Sequence, residues 1–422
     1  MSSSTEERGL KAAYGRRRSP LVNKVKTRVT WGLQQRALRK AEGERFDYLE
    51  VVPPVGDDPA ALADVSARIN WYLSDRSVPV FMEGASGRTI TPEQAPYLDP
   101  ELVRDPGWAA SRPPGRPLQL VHRYTPKLAA AYLRAPASTR VVDPTFALVD
   151  EIAYFHLAQD LAAGDDLPDA ATSSARLMAL AKPGGSAFVL ATGPSASMVD
   201  PEAVDTDLRV TCNSAVRDHE LLEKLRPDVI AFSDRVFHFG PSRYAAAFRQ
   251  DLRHAYEATD ALIVTSRLWA RPLLAHMPEL APRVVAIDHR QDIGWRWPTE
   301  GDVRVKSTGN VLTNLMLPVA FALADRIEIA GCDGRNPDEN YFWKHNAKTQ
   351  YTDDLMQSAF EAHPAFFADR DYGDYYDEHV VQLEELLATG DRAQKTSTGV
   401  TPSHIPALLR RGAPPFEKAT PT

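Results

Sequence analysis

Six short apolar runs recur through the second half of the chain, at residues 187–191, 208–212, 228–232, 261–265, 283–287 and 326–330. Helical patterns at 215–225, 243–256, 267–275 and 308–324 separate most of them. Strands that alternate with helices close into βαβ units around a parallel sheet. The pattern therefore predicts an α/β fold, with a Rossmann-like doubly wound parallel sheet over residues 186–388. A smaller α/β domain is expected over 46–162, with strands at 48–52, 78–82, 118–121 and 139–142 and helices at 59–73, 126–133 and 145–161. Residues 163–185 read as a linker carrying a short helix at 173–181. Two helices at 353–362 and 374–388 follow the second unit, and the tail 389–422, rich in Thr, Pro and Arg, is expected to be weakly ordered.

The most informative corner is 186–200, which reads as a buried strand, a tight turn at Gly193-Pro194-Ser195 and a short helix. Gly193 lets another group approach the backbone. Pro194 fixes φ and lacks an N–H. Ser195 is placed to cap the helix, whose free first-turn N–H groups suit a phosphate. An ordinary strand–turn–helix corner has the same residues.

Composition narrows the class. With 43% hydrophobic and 25% charged residues, the 422-residue chain resembles a globular protein. It has no run near the roughly 20 apolar residues of a membrane span, and with no apolar h-region near residue 1 a secretory signal is not expected. The only two cysteines, Cys212 and Cys332, lie next to strand ends and are expected to be reduced, buried thiols of a cytoplasmic protein. A net charge of −7 conceals a local +9 over residues 1–40. Residues 1–45 read as a loosely ordered basic arm or an amphipathic helix, which either lies on an anionic membrane surface or docks on the acidic body. An acidic body offers no second basic surface, so nucleic acid is not an expected partner.

Five segments fall just past strand ends, where such a sheet gathers its ligand contacts. The first is Thr192-Gly193-Pro194-Ser195. In the second, Cys212-Asn213-Ser214, the Asn offers a donor and an acceptor to a base or ribose, or else caps the next helix. In the third, Asp234 either binds a hydroxyl or pairs with Arg235. The fourth, Lys306-Ser307-Thr308-Gly309-Asn310, precedes an apolar helix that contains Asn314 and Pro318. Ser307 and Thr308 would cap it, Gly309 would admit a ligand and Lys306 would add charge, unless this is a plain capped core helix. The fifth ends a strand with Gly331 and Asp333 and leads into an aromatic loop with Tyr341, Lys344, His345 and Tyr351. His345 is the candidate general base, and Tyr341, Tyr351 and Lys344 are candidate donors to a leaving phosphate. Alternatively the loop tucks its aromatics into the core.

The remaining histidines carry less. His238 is placed to line a pocket, His289 follows a strand and reads either way, and His219, His254, His276 and His379 lie in helical patterns that suit surface or packing positions. The pairs Asp205/Asp207 and Asp369/Asp371 sit away from strand ends and read as solvated. Neither a G-x-G-x-x-G nor a G-x-x-x-x-G-K-[ST] fingerprint is present.

In this order, the strand with Gly193-Pro194-Ser195 and Asp200, then Cys212-Asn213, then the Ser307-Thr308-Gly309 helix start, then Ile327-x-Ile329-x-Gly331-x-Asp333, the chain resembles the bacterial sialyltransferases of glycosyltransferase family 42. It is also similar to the wider group with the motility-associated nonulosonate transferases and the pterin diphosphokinase-like proteins. The resemblance covers about residues 186–350. It implies a GT-A-like variant of the Rossmann sheet and metal-independent transfer from a CMP-linked sugar, without a further cofactor. By the same resemblance Gly193, Pro194, Ser195 and Asn213 hold the nucleotide, Ser307, Thr308 and Gly309 lie near phosphate and sugar, Asp333 matches the last motif, and His345 is the base. Two positions depart from the family pattern. Thr192 stands where Asn is usual, and Gly334-Arg335 where a tyrosine is usual, which leaves Tyr341, Tyr351, Arg335 or Lys344 to support the phosphate.

The expected function is thus a sialyltransferase-like glycosyltransferase of cell-surface glycan biosynthesis, cytoplasmic or peripheral to a membrane. Its donor would be a nucleotide sugar and its acceptor a glycan or lipid-linked glycan. Two other readings stand beside it. One is a diphosphokinase-like enzyme that moves pyrophosphate from ATP with Mg²⁺ on Asp234 and Asp333. The other is a non-catalytic nucleotide-binding module.

Overall fold

A computed structural model of the chain describes residues 45–56, 58–72, 78–91, 94, 109–123, 134–141, 167–234, 236–240, 242–334, 348–362 and 372–416. The chain divides into two compact units. One comprises residues 1–164, 239–247 and 353–370, and the other 165–238, 248–352 and 371–422.

The first unit is built on strands β1 (Tyr48–Val55), β2 (Val80–Gly84), β3 (Pro117–Val121) and β4 (Thr139–Val141), all parallel in the order β2-β1-β3-β4. Helix α1 (Pro59–Tyr72) supplies Leu62, Val65 and Ile69, which are buried along with Leu49, Val51, Met82 and Leu120 of the strands. Arg243 ties Asp64 of α1, at 2.6 Å, to Asp354 of the helix Asp353–Ala362, at 3.2 Å. The helices expected at 126–133 and 145–161, and all but the last residue of the arm expected at 1–45, lie outside the described residues.

The second unit begins with helix α2 (Ala170–Met178), in the stretch expected to be a linker, where it packs on a strand of the sheet. The sheet has eight parallel strands: β5 (Ser186–Leu190), β6 (Leu208–Cys212), β7 (Val229–Ala231), β8 (Leu262–Ser266), β9 (Val284–Arg290), β10 (Arg304–Lys306), β11 (Arg326–Ala330) and β12 (Thr396–Gly399). Their order is β10-β9-β8-β7-β6-β5-β11-β12. The chain thus starts at β5, winds outward to β10 and returns to β11 on the other side of β5. The helices are α3 (His219–Leu225), α4 (Arg243–Ala258), α5 (Arg267–His276), α6 (Leu317–Leu323), α7 (Tyr372–Arg392) and α8 (Pro406–Leu409).

Strand side chains alternate between faces, and both faces are covered here. Ala187 and Val189 of β5 join Ile327 and Ile329 of β11 in the core under α6 and α7, while Phe188 and Leu190 pack with Ala196 and Leu225 on the other side. The turn before α6 is buried throughout. Residues Leu312–Met316 form one π-helical turn and run into α6, and Leu312, Leu315, Leu317, Val319, Phe321 and Leu323 are all buried. Pro318 stands in the first turn of α6, directly after the π-helical turn, where a missing N–H is best tolerated. Each of those six buried side chains contributes roughly 1.5–3 kcal/mol to holding the segment in place.

Two strands and the tail correct the sequence reading. β10 and β12 were not anticipated. The tail from Thr389, expected to be weakly ordered, completes α7 and then adds β12 and α8: Thr396 N–H donates to Asp325 O and Gly399 N–H to Arg411 O, while Leu408 and Ala413 are buried in the core.

Candidate functional site

Because every strand of the eight-stranded sheet is parallel, all the loops after the strands open at one edge. In open α/β sheets ligands bind outside this carboxyl edge, where the strand order reverses. Here the reversal lies between β5 and β11, followed by Thr192-Gly193-Pro194-Ser195 and by Gly331-Cys332-Asp333.

These two loops are bound to each other. Gly193 N–H donates to Gly331 O at 2.9 Å, and Ser195 N–H donates to Asp333 Oδ1 at 2.9 Å. Ser195 Oγ lies 3.0 Å from Asp333 Oδ2 and 3.0 Å from Thr401 Oγ1, which also accepts Gly331 N–H at 2.9 Å. A carboxylate only accepts. One chain therefore satisfies every atom: Gly331 N–H to Thr401, the Thr401 hydroxyl to Ser195, and the Ser195 hydroxyl to Asp333. Glycine is needed twice. A Cβ on Gly193 would stand 2.0 Å from Asp333 Oδ2, and Gly331 has φ +69°. Burial raises the Asp333 carboxyl above its usual range, opposed by the bonds from Ser195.

This geometry corrects the expected role of Ser195. It does not cap the turn; Gly193 holds the cap position of the 3₁₀ turn Pro194–Met198, and Asp333 takes the Ser195 N–H that was expected to face a phosphate. Thr192, 6% exposed, lines the same corner.

One strand away, at the end of β6, Asn213 adopts φ +49°. It makes no capping bond: the cap position of the turn Asn213–Arg217 belongs to Cys212. Asn213 Oδ1 and Ser214 Oγ are both buried without a hydrogen-bond partner. Leaving such an atom unmade costs about 1–3 kcal/mol, so two of them side by side in a loop that faces the carboxyl edge mark a place for a polar ligand. Asp234, after β7, is occupied locally: its Oδ1 accepts Val236 N–H at 2.7 Å and Phe237 N–H at 3.0 Å.

A third group lies toward β9 and β10. Ser307 N–H donates to Arg290 O at 2.7 Å. Thr308 Oγ1 pairs with Thr313 Oγ1 at 2.9 Å, and Thr308 N–H reaches Asn314 Oδ1 at 3.5 Å. Asn314 Nδ2 donates to Ser233 Oγ at 3.4 Å, after β7. The expected caps Ser307 and Thr308 are replaced by Asn310, whose Oδ1 accepts Leu312 N–H at 2.9 Å. A Cβ on Gly309 would stand 2.6 Å from the ring of Tyr375, whose hydroxyl donates to Gly309 O. Lys306 lies 4.4 Å over the ring of Trp295 and 3.7 Å from Glu385, so its charge is already partnered.

The structure thus gathers Thr192, Gly193, Pro194, Ser195 and Asp333 at the reversal, sets Asn213 and Ser214 beside them, and joins Ser307, Thr308 and Gly309 to the β7 end through Asn314. Thr401, Asn314 and His289 belong to this edge and were not assigned to it from the sequence; Thr401 lies in the tail, while Asn314 carried a signal as a polar residue in an apolar helix and His289 as a histidine that follows a strand. Tyr351 is buried, its hydroxyl donating to Asp251 at 2.5 Å and its ring beneath the guanidinium of Arg217, the last residue of the turn Asn213–Arg217. Tyr341, Lys344 and His345, with Arg235 and Arg335, lie outside the described residues. A cavity of about 420 Å³ lies elsewhere, at the amino end of β12, but its Arg410 and Arg411 are already paired with Glu384 and Asp391. Among the described residues no group of three or more His, Cys, Asp or Glu side chains is placed to hold a metal, and no helix is long and apolar enough to cross a membrane.

Comparison with protein-family models, with curated proteins and with solved structures gave no match in any of the three.

Proposed function

We propose that the carboxyl edge of the eight-stranded sheet binds a nucleotide-activated, CMP-linked sugar and that the protein is a sialyltransferase-like, metal-independent glycosyltransferase. One observation carries this reading. Asn213 Oδ1 and Ser214 Oγ are buried and unpartnered one strand from the Ser195–Asp333 lock. They suit a ligand with polar edges, such as a base or ribose. Three strand spacings of about 4.8 Å separate the β11 and β7 ends, roughly 14 Å, which is a span that an extended nucleotide sugar bridges. The nucleoside would occupy the Asn213 end, and the phosphate and sugar the Asn314–Thr308 end.

The diphosphokinase-like reading has less support. It needs Asp234 and Asp333 at one Mg²⁺ site, and the same roughly 14 Å separates their strands. Both carboxylates also accept backbone N–H groups already. The acceptor would be a glycan or lipid-linked glycan, with the basic arm 1–40 on an anionic membrane surface and the protein working at the cytoplasmic face.

A thermal-shift panel of CMP, UDP, GDP, ATP and a pterin, with and without Mg²⁺, tests the site, because a ligand that binds the native state raises its stability by mass action. CMP is expected to raise the melting temperature without Mg²⁺. A shift seen only with ATP and Mg²⁺ would favour pyrophosphoryl transfer instead, and binding without turnover of any donor would leave a nucleotide-binding module.

A further inference from the structure

β12 is the outermost strand of its sheet, and its first two residues, Thr396 and Ser397, line the cavity of about 420 Å³ at the amino edge. Small-molecule sites run from about 300 to 1,000 Å³. The rest of the lining is Glu384 and Asp391 of α7 with Arg410 and Arg411, which follow α8. Ser397 stands across from Ile327 of β11, whose side chain lies in the core under α6 and α7. Residues paired in register share a face, so the Ser397 side chain points toward α7 as well. It is 9% exposed, and its hydroxyl has no hydrogen-bond partner. An apolar residue would fill that place without leaving a polar atom unmade, so an unused hydroxyl in the wall of a cavity marks a ligand contact. The backbone of Ser397 is also turned outward. Thr396 N–H donates to Asp325 O and Val400 N–H to Ile329 O, so by the alternation of a parallel ladder the Ser397 N–H and C=O face away from β11.

The charges of the wall decide the kind of ligand. Arg411 pairs with Asp391 at 2.8 Å and with Glu384 at 3.5 Å, and Arg410 pairs with Glu384. Two guanidiniums against two carboxylates leave no net charge, so neither an anion nor a cation meets an unmatched partner. The lining holds no aromatic or aliphatic residue among those described, so an apolar ligand gains nothing either. What remains is a mixture of donors and acceptors. Arg410 has N–H groups beyond the one it gives Glu384, Asp391 has its second carboxylate oxygen, and the hydroxyls of Thr396 and Ser397 both give and take. Vicinal hydroxyls answer such a wall, because each of them donates and accepts. We propose that this cavity binds a sugar unit, a neutral ring with vicinal hydroxyls, at a second site on the opposite edge of the sheet from the candidate nucleotide site. Ser397, Thr396 and Arg410 contact its hydroxyls, and the Arg411–Asp391 pair holds the wall in shape. This site is independent of the transferase reading.

The test uses the full chain and saturation-transfer NMR with the methyl glycosides of glucose, galactose, mannose and N-acetylglucosamine, each with and without excess CMP. Inorganic phosphate, followed by its ³¹P line width, is the anionic probe. At least one glycoside is expected to bind in the millimolar range and to stay bound when CMP is added. S397A is expected to weaken that glycoside by about tenfold, the worth of one hydrogen bond. It should melt no lower than the wild type, because alanine suits the buried position. R410A removes an exposed side chain and is expected to weaken the glycoside by a similar factor. Phosphate line widths should be the same with R410A and with the wild type. Failure of all four glycosides to bind the wild type overturns the site. So does a glycoside that binds the wild type, S397A and R410A equally, or one that CMP displaces, which would place it at the carboxyl edge. Phosphate broadening that R410A abolishes would make this an anion site and overturn the sugar assignment.

Discussion

Ser195 and Asp333 close the two central loops of the sheet on each other, with the Ser195 N–H on Oδ1 at 2.9 Å and its hydroxyl 3.0 Å from Oδ2, across 138 residues of sequence. The lock holds the strand reversal shut at the backbone, so the ligand must be met by the loops beside it. Ser195→Ala removes the hydroxyl that satisfies both Asp333 Oδ2 and Thr401, and is expected to cost about 1–3 kcal/mol in urea unfolding. Gly193→Ala is expected to cost more. Its Cβ would meet Asp333 Oδ2 at 2.0 Å and the Gly331 carbonyl at 2.5 Å, and one of those is backbone that cannot swing away. Equal stabilities for the two variants would show that the loops are not packed as tightly as this.

Asn213 gives the opposite expectation, a residue whose loss harms binding and not the fold. Its φ of +49° strains an L-residue by roughly 1–2 kcal/mol. Its unpartnered Oδ1 costs about 1–3 kcal/mol more. Asn213→Gly relieves both and gives back only about 0.5–1 kcal/mol in chain entropy. The variant should therefore melt at or above the wild-type temperature and lose the shift induced by CMP. Retention of that shift would remove Asn213 from the nucleotide site.

What could be read in advance follows from where the information lies along the chain. The six apolar runs became β5, β6, β7, β8, β9 and β11 because buried parallel strands need apolar residues on both faces. The two strands that escaped notice, Arg304-Val305-Lys306 and Thr396-Ser397-Thr398-Gly399, are the outermost of the sheet. Edge strands are short and polar, and this erases the very signal that marks a strand. The site was legible as a set of strand-end loops, but its bonds were not. Whether Ser195 caps a helix or holds Asp333, and whether His289 meets solvent or Asn314, depends on partners 138 and 25 residues away.

The two cysteines should be chemically silent in the native protein. Burial pushes the Cys212 thiol up to about 12 and raises Cys332 well above its ordinary value. The thiolate is the reactive form, so almost none is present at pH 8. Ellman's reagent is expected to titrate no thiol in buffer and both in 6 M guanidinium. Rapid labelling of one thiol in buffer would mean that the end of β6 or β11 opens far more often than its burial allows.

His379 supplies a pH dependence with a definite sign. It lies on α7, on the buried face with Leu383, Leu386 and Leu387, and its Nδ1 has no partner. Burial lowers its pKa from 6.5 to about 4. Between those values the unfolded chain binds a proton that the folded chain refuses, so stability rises with pH across the window and is lost as pH falls from 6.5 toward 4. At 1.36 kcal/mol for each unit, the full loss is about 3 kcal/mol. His379→Leu removes the titrating group and an unsatisfied buried nitrogen together. Urea unfolding at pH 7.5 and 4.5 should show the wild type losing more stability than the variant, by up to that amount. A variant that tracks the wild type at both values would place the acid sensitivity of the fold in its carboxylates instead.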